Sequence, residues 1–373
     1  MVCCPRSSAM AEKRREKSDD FARSLLAWFD RHGRKDLPWQ HPRTAYRVWL
    51  SEVMLQQTQV RTVVGYFERF VAALPTLPAL AEAPLDRVLA LWSGLGYYAR
   101  ARHLHRAARI CVERHAGDLP RDFDALAALP GIGRSTAGAI LAQAFGLRHP
   151  ILDGNVRRVL ARWHGVRGWP GASDVQRKLW EFAEAHTPDA RVADYTQAVM
   201  DLGATVCARA RPFCAACPVA RDCTARREGS TAELPERKPS TERPTRETTM
   251  LIVRDDLGRV LLEQRPPSGI WAELWSLPET ADPSCARELV RERYGVRVSS
   301  ALALGDFVHR FSHYHLHVTP LLMHGTREPR VADDIGRGWF GREDLPALGL
   351  PSPVRRLLDS VCEDAKWRER STA

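Results

Sequence analysis

Between Asp19 and Ala225 the apolar residues of this 373-residue chain return at helical spacing, and beyond Thr249 they do not. Spacings of three and four residues put apolar side chains on one face of a helix, whereas strict alternation puts them on one face of a strand. The first pattern runs through Phe21–His32, Tyr46–Gln57, Val60–Ala73, Leu85–Trp92, Ala99–His115, Thr136–Phe145, Val156–Trp163, Val175–His186 and Asp194–Leu202, with Gly or Pro between the segments. It predicts an all-α domain over residues 19–225, preceded by a disordered extension over 1–18. Arg226–Thr249 holds Pro235, Pro239, Pro244 and almost nothing apolar, which reads as a linker. After it, Met250–Arg254 and Val260–Gln264 flank Asp255–Gly258 as a hairpin, Ala286–Tyr294 reads as a helix, Tyr314–Leu322 as a strand and Pro353–Cys362 as a closing helix. Residues 250–365 are therefore expected to be a separate α+β domain. A cut near Glu247 is expected to leave the helical domain folded.

Lys and Arg exceed Asp and Glu by ten. A basic excess of this size favours a polyanionic partner, nucleic acid first, although a solvated basic surface accounts for it equally well. No apolar run is long enough to span a bilayer, and Met1–Lys17 lacks the apolar core of a signal peptide. The expectation is an intracellular monomer with no membrane partner, in the cytoplasm or nucleoid if the source is bacterial. In that reducing setting the nine cysteines do not read as disulfides.

The most informative short stretch is Leu129-Pro-Gly-Ile-Gly-Arg-Ser-Thr-Ala137. Gly131 and Gly133 bracket one aliphatic residue between helical segments, leaving amide N–H groups exposed at the start of the next helix. Those amides and the helix dipole suit a phosphate. A tight turn with Ile132 plugging the core fits as well. Further on, Asp153 stands before a helix in Ile151-Leu-Asp-Gly-Asn-Val156, where it can cap that helix. A carboxylate so held stays ionised at neutral pH, as a developing sugar cation requires. Glu52 is a lone acid among apolar neighbours in Leu50–Val60; burial raises a carboxyl pKa and keeps the proton a general acid delivers. A surface acid is the ordinary alternative.

Cys207, Cys214, Cys217 and Cys223 leave gaps of six, two and five residues, enough to clamp one metal centre. Spacing alone fits zinc and iron–sulfur equally. Arg209 and Arg211 in the first gap can contact phosphate.

The hairpin followed by Asp153 resembles the DNA glycosylase superfamily that includes endonuclease III. Leu37-Pro-Trp-Gln40, Leu50–Val60, Trp92-Ser-Gly-Leu-Gly-Tyr-Tyr-Ala-Arg100 and Ile151–Val156 together resemble its MutY-type adenine DNA glycosylases. The resemblance implies that Glu52 protonates the purine at N7, that Asp153 stabilises the sugar cation, and that Asn155 positions the Asp153 region. It implies that Gln57, Thr58, Leu95 and Tyr97 fill the opened duplex and that Gly131, Gly133 and Ser135 lie against DNA. Ser135 stands where bifunctional relatives carry a lysine, so a monofunctional enzyme is implied. Phe145 stands where some relatives carry a pocket tyrosine, and Arg157 where several carry lysine. The position of the cysteine loop implies one 4Fe–4S cluster. The implied substrate is duplex DNA with adenine opposite 8-oxoguanine or guanine.

Residues 250–365 resemble the MutT-like, Nudix-fold domain of the same family, most closely in Gln264–Trp271. In the segment Arg287–Gly295 of its metal-binding box Arg291 replaces an acid, and Trp275 replaces the leading glutamate, so pyrophosphate hydrolysis is not expected. His309, Phe311, Ser312 and His313 are implied to face the oxidised guanine. His313, His315 and His317 alternate and are expected to face solvent or DNA. The rivals are a pyrimidine glycosylase/lyase, a non-catalytic damage-binding protein and a nucleotide hydrolase.

Overall fold

The computed structural model describes residues 6–239, 242–327 and 336–363, with the backbone alone for 6–17, 362 and 363. The described residues fall into two compact units. One runs to Ala81 and resumes from Arg106 to the linker; the other joins Glu82–His105 to the residues from 242 onward.

The first unit is helical: α1 (Arg6–His32), α2 (Ala45–Leu55), α3 (Val60–Ala73) and α4 (Leu77–Glu82) come before the break marked by α5 (Leu85–Trp92) and the start of α6 (Ala99–Arg114). It continues with α7 (Phe123–Ala127), α8 (Arg134–Phe145), α9 (Gly154–His164), α10 (Ser173–His186), α11 (Val192–Asp201) and α12 (Thr224–Arg227). Local chemistry sets several starts. Thr44 caps α2 by accepting from Arg47 N at 3.3 Å, Asp122 caps α7 through Ala125 N at 2.9 Å, and Asp153 caps α9. Phe21 and Leu25 of α1, Val159 and Leu160 of α9, Leu179 of α10 and Val199 of α11 meet in one buried cluster. Each such side chain contributes roughly 1.5–3 kcal/mol on leaving water.

α1 starts at Arg6, well before the expected boundary at Asp19. The reason lies far away in sequence. Ser18 is buried; its hydroxyl donates to Ala185 O at 2.6 Å and lies 2.9 Å from His186 Nδ1. His186 Nε2 lies 2.9 Å from His164 Nε2. With its proton given to Ala185 O, the Ser18 oxygen accepts from His186 Nδ1–H, which leaves Nε2 to accept from His164. Burial pushes His186 down to about 4, so it is neutral as this network requires. A composition-based reading of residues 1–18 sees the charges and not these partners. Residues 1–5 lie outside the described residues.

The second unit is built on a mixed sheet. Its strands are β1 (Thr245–Arg254), β2 (Val260–Gln264), β3 (Trp275–Ser276), β4 (Glu279–Thr280), β5 (Val296–Ala303), β6 (Phe307–Arg310), β7 (His315–Arg327) and β8 (Arg337–Phe340). The main order is β3-β2-β1-β7-β5; β4 pairs with β1, β6 with β7 and β8 with β2. β1 and β7 are parallel, with Thr245 opposite His315 and Arg254 opposite His324, and the other pairs are antiparallel. Both faces of β1 are covered. Met250 and Ile252 join a core with Val354, Leu358 and Val361 of α14 (Ser352–Glu363), and Leu251 and Val253 join one with Ala286, Val290 and Tyr294 of α13 (Ala286–Tyr294). That explains the unbroken apolar run 250–253 in a strand. The expected hairpin is present, with Asp255 Oδ1 accepting from Leu257 N at 3.1 Å and Arg259 N at 2.9 Å.

α5 belongs to this second unit, which departs from a helical domain running without interruption to Ala225. Val88, Leu89 and Trp92 are buried on its apolar face. Periodicity shows which face a helix buries but not what covers it. Gly349 approaches so closely that a Cβ there would lie 2.6 Å from Leu89 Cβ. A chain cut near Glu247 therefore loses a partner of α5 and not only a tethered domain. Gly349→Ala should destabilise the second unit by about 1–3 kcal/mol through overpacking. Urea melts followed by a probe in that unit would check this; an unchanged midpoint would contradict the close packing.

Candidate active site

Glu52 lies on α2, and its carboxylate Oε1 accepts from Gln143 Nε2 of α8 at 3.0 Å. Part of the residue's surface stays open, but the carboxyl group is deep enough for desolvation to dominate. Burial, then the charge of Asp153, push Glu52 up to about 7 against the opposing Gln143 bond.

Asp153 caps α9: Oδ1 accepts from Val156 N at 2.8 Å, and Oδ2 from Asn155 Nδ2 at 3.2 Å. Capping alone implied a low pKa. Burial instead raises it, opposed by the Val156 and Asn155 amides and then by Arg158 and Arg157. The two carboxyls are nevertheless unequal, because the charge of Asp153 is itself a cause of the proton's retention on Glu52.

The support behind Asp153 comes from residues that sequence reasoning passed over. Asn155 Oδ1 accepts from Arg158 Nη2 at 2.8 Å; the same guanidinium donates to Gly203 O at 2.5 Å and, through Nε, to Cys207 O at 2.8 Å. Gly203 sits in a π-turn, Leu202–Val206, against Asn155, where a Cβ would lie 2.6 Å from Asn155 Cβ. Just before this turn buried Asp201 accepts from Arg34 Nε at 2.9 Å, Arg34 Nη2 at 2.6 Å and Gln197 Nε2 at 2.7 Å. No local pattern marks Gly203 and Cys207 as partners of Arg158, or Arg34 as a partner of Asp201, because they are distant in sequence.

The hairpin forms as expected at Gly131, with φ +79°, while Gly133 is the extended N-cap of α8. Nothing stands within 4 Å of a Cβ at Gly133, so that side is open to an approaching group. Ile132 is buried. Ser135 does more than face outward: its Oγ accepts from Leu152 N at 2.9 Å and fixes the extended segment leading into Asp153. Phe145 ends α8 under the Arg121 guanidinium, 4.9 Å from the ring centre. At the end of α2 a tight turn, with Thr58 N donating to Leu55 O at 3.2 Å, presents Gln57 outward at φ +60° beside half-buried Thr58.

In the second unit Tyr97 is 52% exposed at φ +49°. Leu95, by contrast, is buried, 6% exposed. His309, Phe311 and His313 are brought together with Trp271 and Tyr314. Phe311 stacks on Tyr314 at 4.7 Å and lies 4.5 Å from His309, and Ser312 and His313 are exposed. His313 precedes β7, whereas His315 and His317 share its more open face. On α13, Arg287, Glu288, Arg291 and Glu292 are exposed neighbours.

The four loop cysteines, all half-buried, line one cavity with Val159, Arg162 and Leu202. Burial pushes Cys217 up to about 12 with the charges of the other three thiols adding to it, so ionising them together needs a cation among them. Among the described residues no three Cys, His, Asp or Glu side chains converge closely enough to hold one metal ion. Arg209 and Arg211 are exposed on the same loop.

The raised Glu52 proton has a consequence for stability. Its folded-state pKa exceeds its ordinary 4.5, so the contribution is complete below that range and is lost as pH rises through about 7. Glu52→Gln should therefore gain stability over wild type between about pH 5 and about pH 8, by at most ~3 kcal/mol. Paired thermal melts would show it; a difference that does not change with pH would refute the raised pKa.

Residues 50–185 match the HhH-GPD superfamily of base excision DNA repair proteins, and residues 248–360 match the NUDIX domain. The chain is 35% identical to the adenine DNA glycosylase of Buchnera aphidicola from Acyrthosiphon pisum, over 91% of this chain and 97% of that protein. It is 36% identical to the human adenine DNA glycosylase, over 90% of this chain and 73% of that one. Among solved structures a thermostable thymine-DNA glycosylase superposes with a TM-score of 0.52 at 27% identity, covering 57% of this chain and 98% of that chain. Endonuclease III from a non-covalent complex with DNA shares the fold, with a TM-score of 0.50 at 21% identity, covering 58% and 97%. With the paired carboxyls, the hairpin and the Nudix-fold sheet already in place, this similarity along nearly the whole chain establishes that it belongs to the adenine DNA glycosylases of base excision DNA repair.

Proposed function

We propose that this chain hydrolyses the N-glycosidic bond of adenine mispaired with 8-oxoguanine or guanine in duplex DNA, leaving the strand intact. The observation that carries the proposal is the carboxyl pair, Glu52 bonded to Gln143 and Asp153 capping α9, with Glu52 pushed up to about 7 by burial and then by the charge of Asp153. The adenine leaves the stack to reach them. Glu52 gives its proton to N7, and the electron pair of the C1′–N9 bond departs with the base. Asp153, held by Val156 and Asn155, stabilises the sugar cation until water adds to C1′. Ser135 has no amine, and its hydroxyl is committed to Leu152 N, so no imine forms there.

Gln57, Thr58 and Tyr97 fill the opened duplex. The amides at Gly131 and Gly133, with Arg209 and Arg211, take phosphates. Cys207, Cys214, Cys217 and Cys223 would hold one 4Fe–4S cluster, whose positive iron would offset the four thiolates. What supports this reading is that all four thiols line one cavity. His309, Phe311, Ser312 and His313 form the surface that meets the oxidised guanine.

The deciding assay uses the full chain on duplexes with adenine or thymine opposite 8-oxoguanine or guanine. Adenine alone should be released, strands should break only after alkali, and the single-turnover rate should fall as pH rises through about 7. Glu52→Gln should abolish release with duplex affinity retained; near-wild-type excision would end the assignment. Strand breaks that keep pace with adenine release would mark another lysine as nucleophile. Purified protein should contain roughly four irons per chain, and stoichiometric zinc instead would overturn the cluster.

A further inference from the structure

Three groups within the second unit meet at one short turn, Trp271–Glu273. Trp271 and Glu273 both hold left-handed backbone, φ +54° and +60°, which non-glycine residues adopt only where the surroundings enforce it. On one side the Trp271 ring lies 5.4 Å from Phe311 and 5.6 Å from His309, beneath the reading segment. On the other, Arg102 Nη1 donates to Ala272 O at 2.6 Å, and Arg102 Nε lies 3.2 Å from Glu273 Oε2.

Arg102 is on the first turns of α6, just beyond the loop that displays Tyr97. That loop is tied down twice. Within itself, Trp92 Nε1 donates to Gly96 O at 3.2 Å, and Arg100 Nη2 donates to Leu95 O at 3.3 Å and Gly96 O at 3.1 Å. Outward, the Tyr98 hydroxyl accepts from Gly94 N at 3.3 Å and donates to Leu350 O at 2.8 Å, the same carbonyl that Ser93 Oγ reaches at 3.1 Å.

We infer that the Nudix-fold domain is the frame on which the Trp92–Arg102 loop is set, with Tyr98 and Arg102 as positioning residues that hold Tyr97 in register with the reading segment through the Trp271–Glu273 turn. The inference rests on the proposed function for the roles of Tyr97 and of 309–313. The domain thus acts on recognition by two means: its own surface meets the damaged base, and its 271–273 and Leu350 backbone sets the residue that enters the duplex. A hydrolase box that has lost its acids leaves both tasks intact, since neither uses α13.

The test uses the full chain with Tyr98→Phe, Arg102→Ala, Glu273→Ala and the Arg102→Ala/Glu273→Ala pair. Hydrogen exchange on the free protein reads the loop directly. The amides of Gly94 and Leu95 should exchange about tenfold faster in Tyr98→Phe and in Arg102→Ala, as for a lost bond to a charged or well-placed group, while those of Asn155 and Val156 stay as in wild type. Single-turnover excision opposite 8-oxoguanine should fall several-fold more than excision opposite guanine, a change that general destabilisation would not produce. The double variant should resemble Arg102→Ala and not add to it, since Glu273 acts on the loop only through Arg102. Unchanged exchange at Gly94 and Leu95 in both Tyr98→Phe and Arg102→Ala would overturn the frame. Faster exchange with an unchanged excision ratio would overturn its role in recognition. Tyr98→Phe keeps the ring, so it remains readable if Arg102→Ala does not fold. Release of adenine by wild type from neither duplex would defeat the proposed function, whereas the exchange result would still decide the frame.

Discussion

The guanidinium of Arg158 is the point on which the helical unit's chemistry hangs. It donates at once to Asn155 Oδ1, Gly203 O and Cys207 O. Those acceptors lie on α9, on the π-turn after α11 and at the first cysteine of the loop. A planar fork with several fixed donors can do this, whereas an ammonium, a point charge, would hold fewer partners in a defined geometry. Asn155 in turn donates to Asp153. A shift of the cysteine loop would therefore be felt at Asp153 through three hydrogen bonds in series. Arg162, one turn along and 1% exposed, holds the same loop by donating to Leu234 O, Ala208 O and Arg209 O and lying 3.3 Å from Cys207 Sγ. A buried guanidinium is tolerated where carbonyls surround it.

The same packing makes the two carboxyls unequal. Both are desolvated, and in an apolar setting both would keep their protons. Asp153 differs because the first turn of α9 gives it the Val156 and Asn155 amides and places Arg157 and Arg158 nearby. Glu52, in mid-helix on α2, has only the Gln143 amide to oppose burial. Position on the helix, at the cap or in the interior, therefore sets how many opposing groups each buried carboxyl has. Residue type alone would not.

This explains what was legible in the sequence. Val60–Ala73 and Leu85–Trp92 form with the expected bounds, because one apolar face with clear ends suffices to specify them. Asp153 as a cap was legible because capping reaches only two or three residues ahead. Gln143, Arg158 and the Arg34–Asp201 pair were not, because their partners are tens of residues away or more and no local pattern encodes the meeting. A motif likewise gives the order of residues in a turn, but only packing shows that Tyr97 is exposed and Leu95 buried. The helical start at Arg6 likewise depends on Ser18 finding Ala185 and His186.

The grouping of α5 with the Nudix-fold unit follows from the same limit, and it bears on how the two parts came to act together. A linker rich in proline and charge suggests domains that fold separately and meet loosely. Yet Gly349 packs against Leu89 with no room for a Cβ, and the Leu350 carbonyl accepts from both Ser93 and Tyr98. Contacts this close fix α5 and the loop after it on the sheet of their own unit to within a hydrogen-bond length, which a flexible tether cannot do. The sheet supplies that rigidity cheaply, because both faces of β1 are covered and Leu350 belongs to the core that α14 closes. A Nudix fold thus serves as a stiff support whether or not its box binds a metal, since the support derives from the sheet and its covering helices.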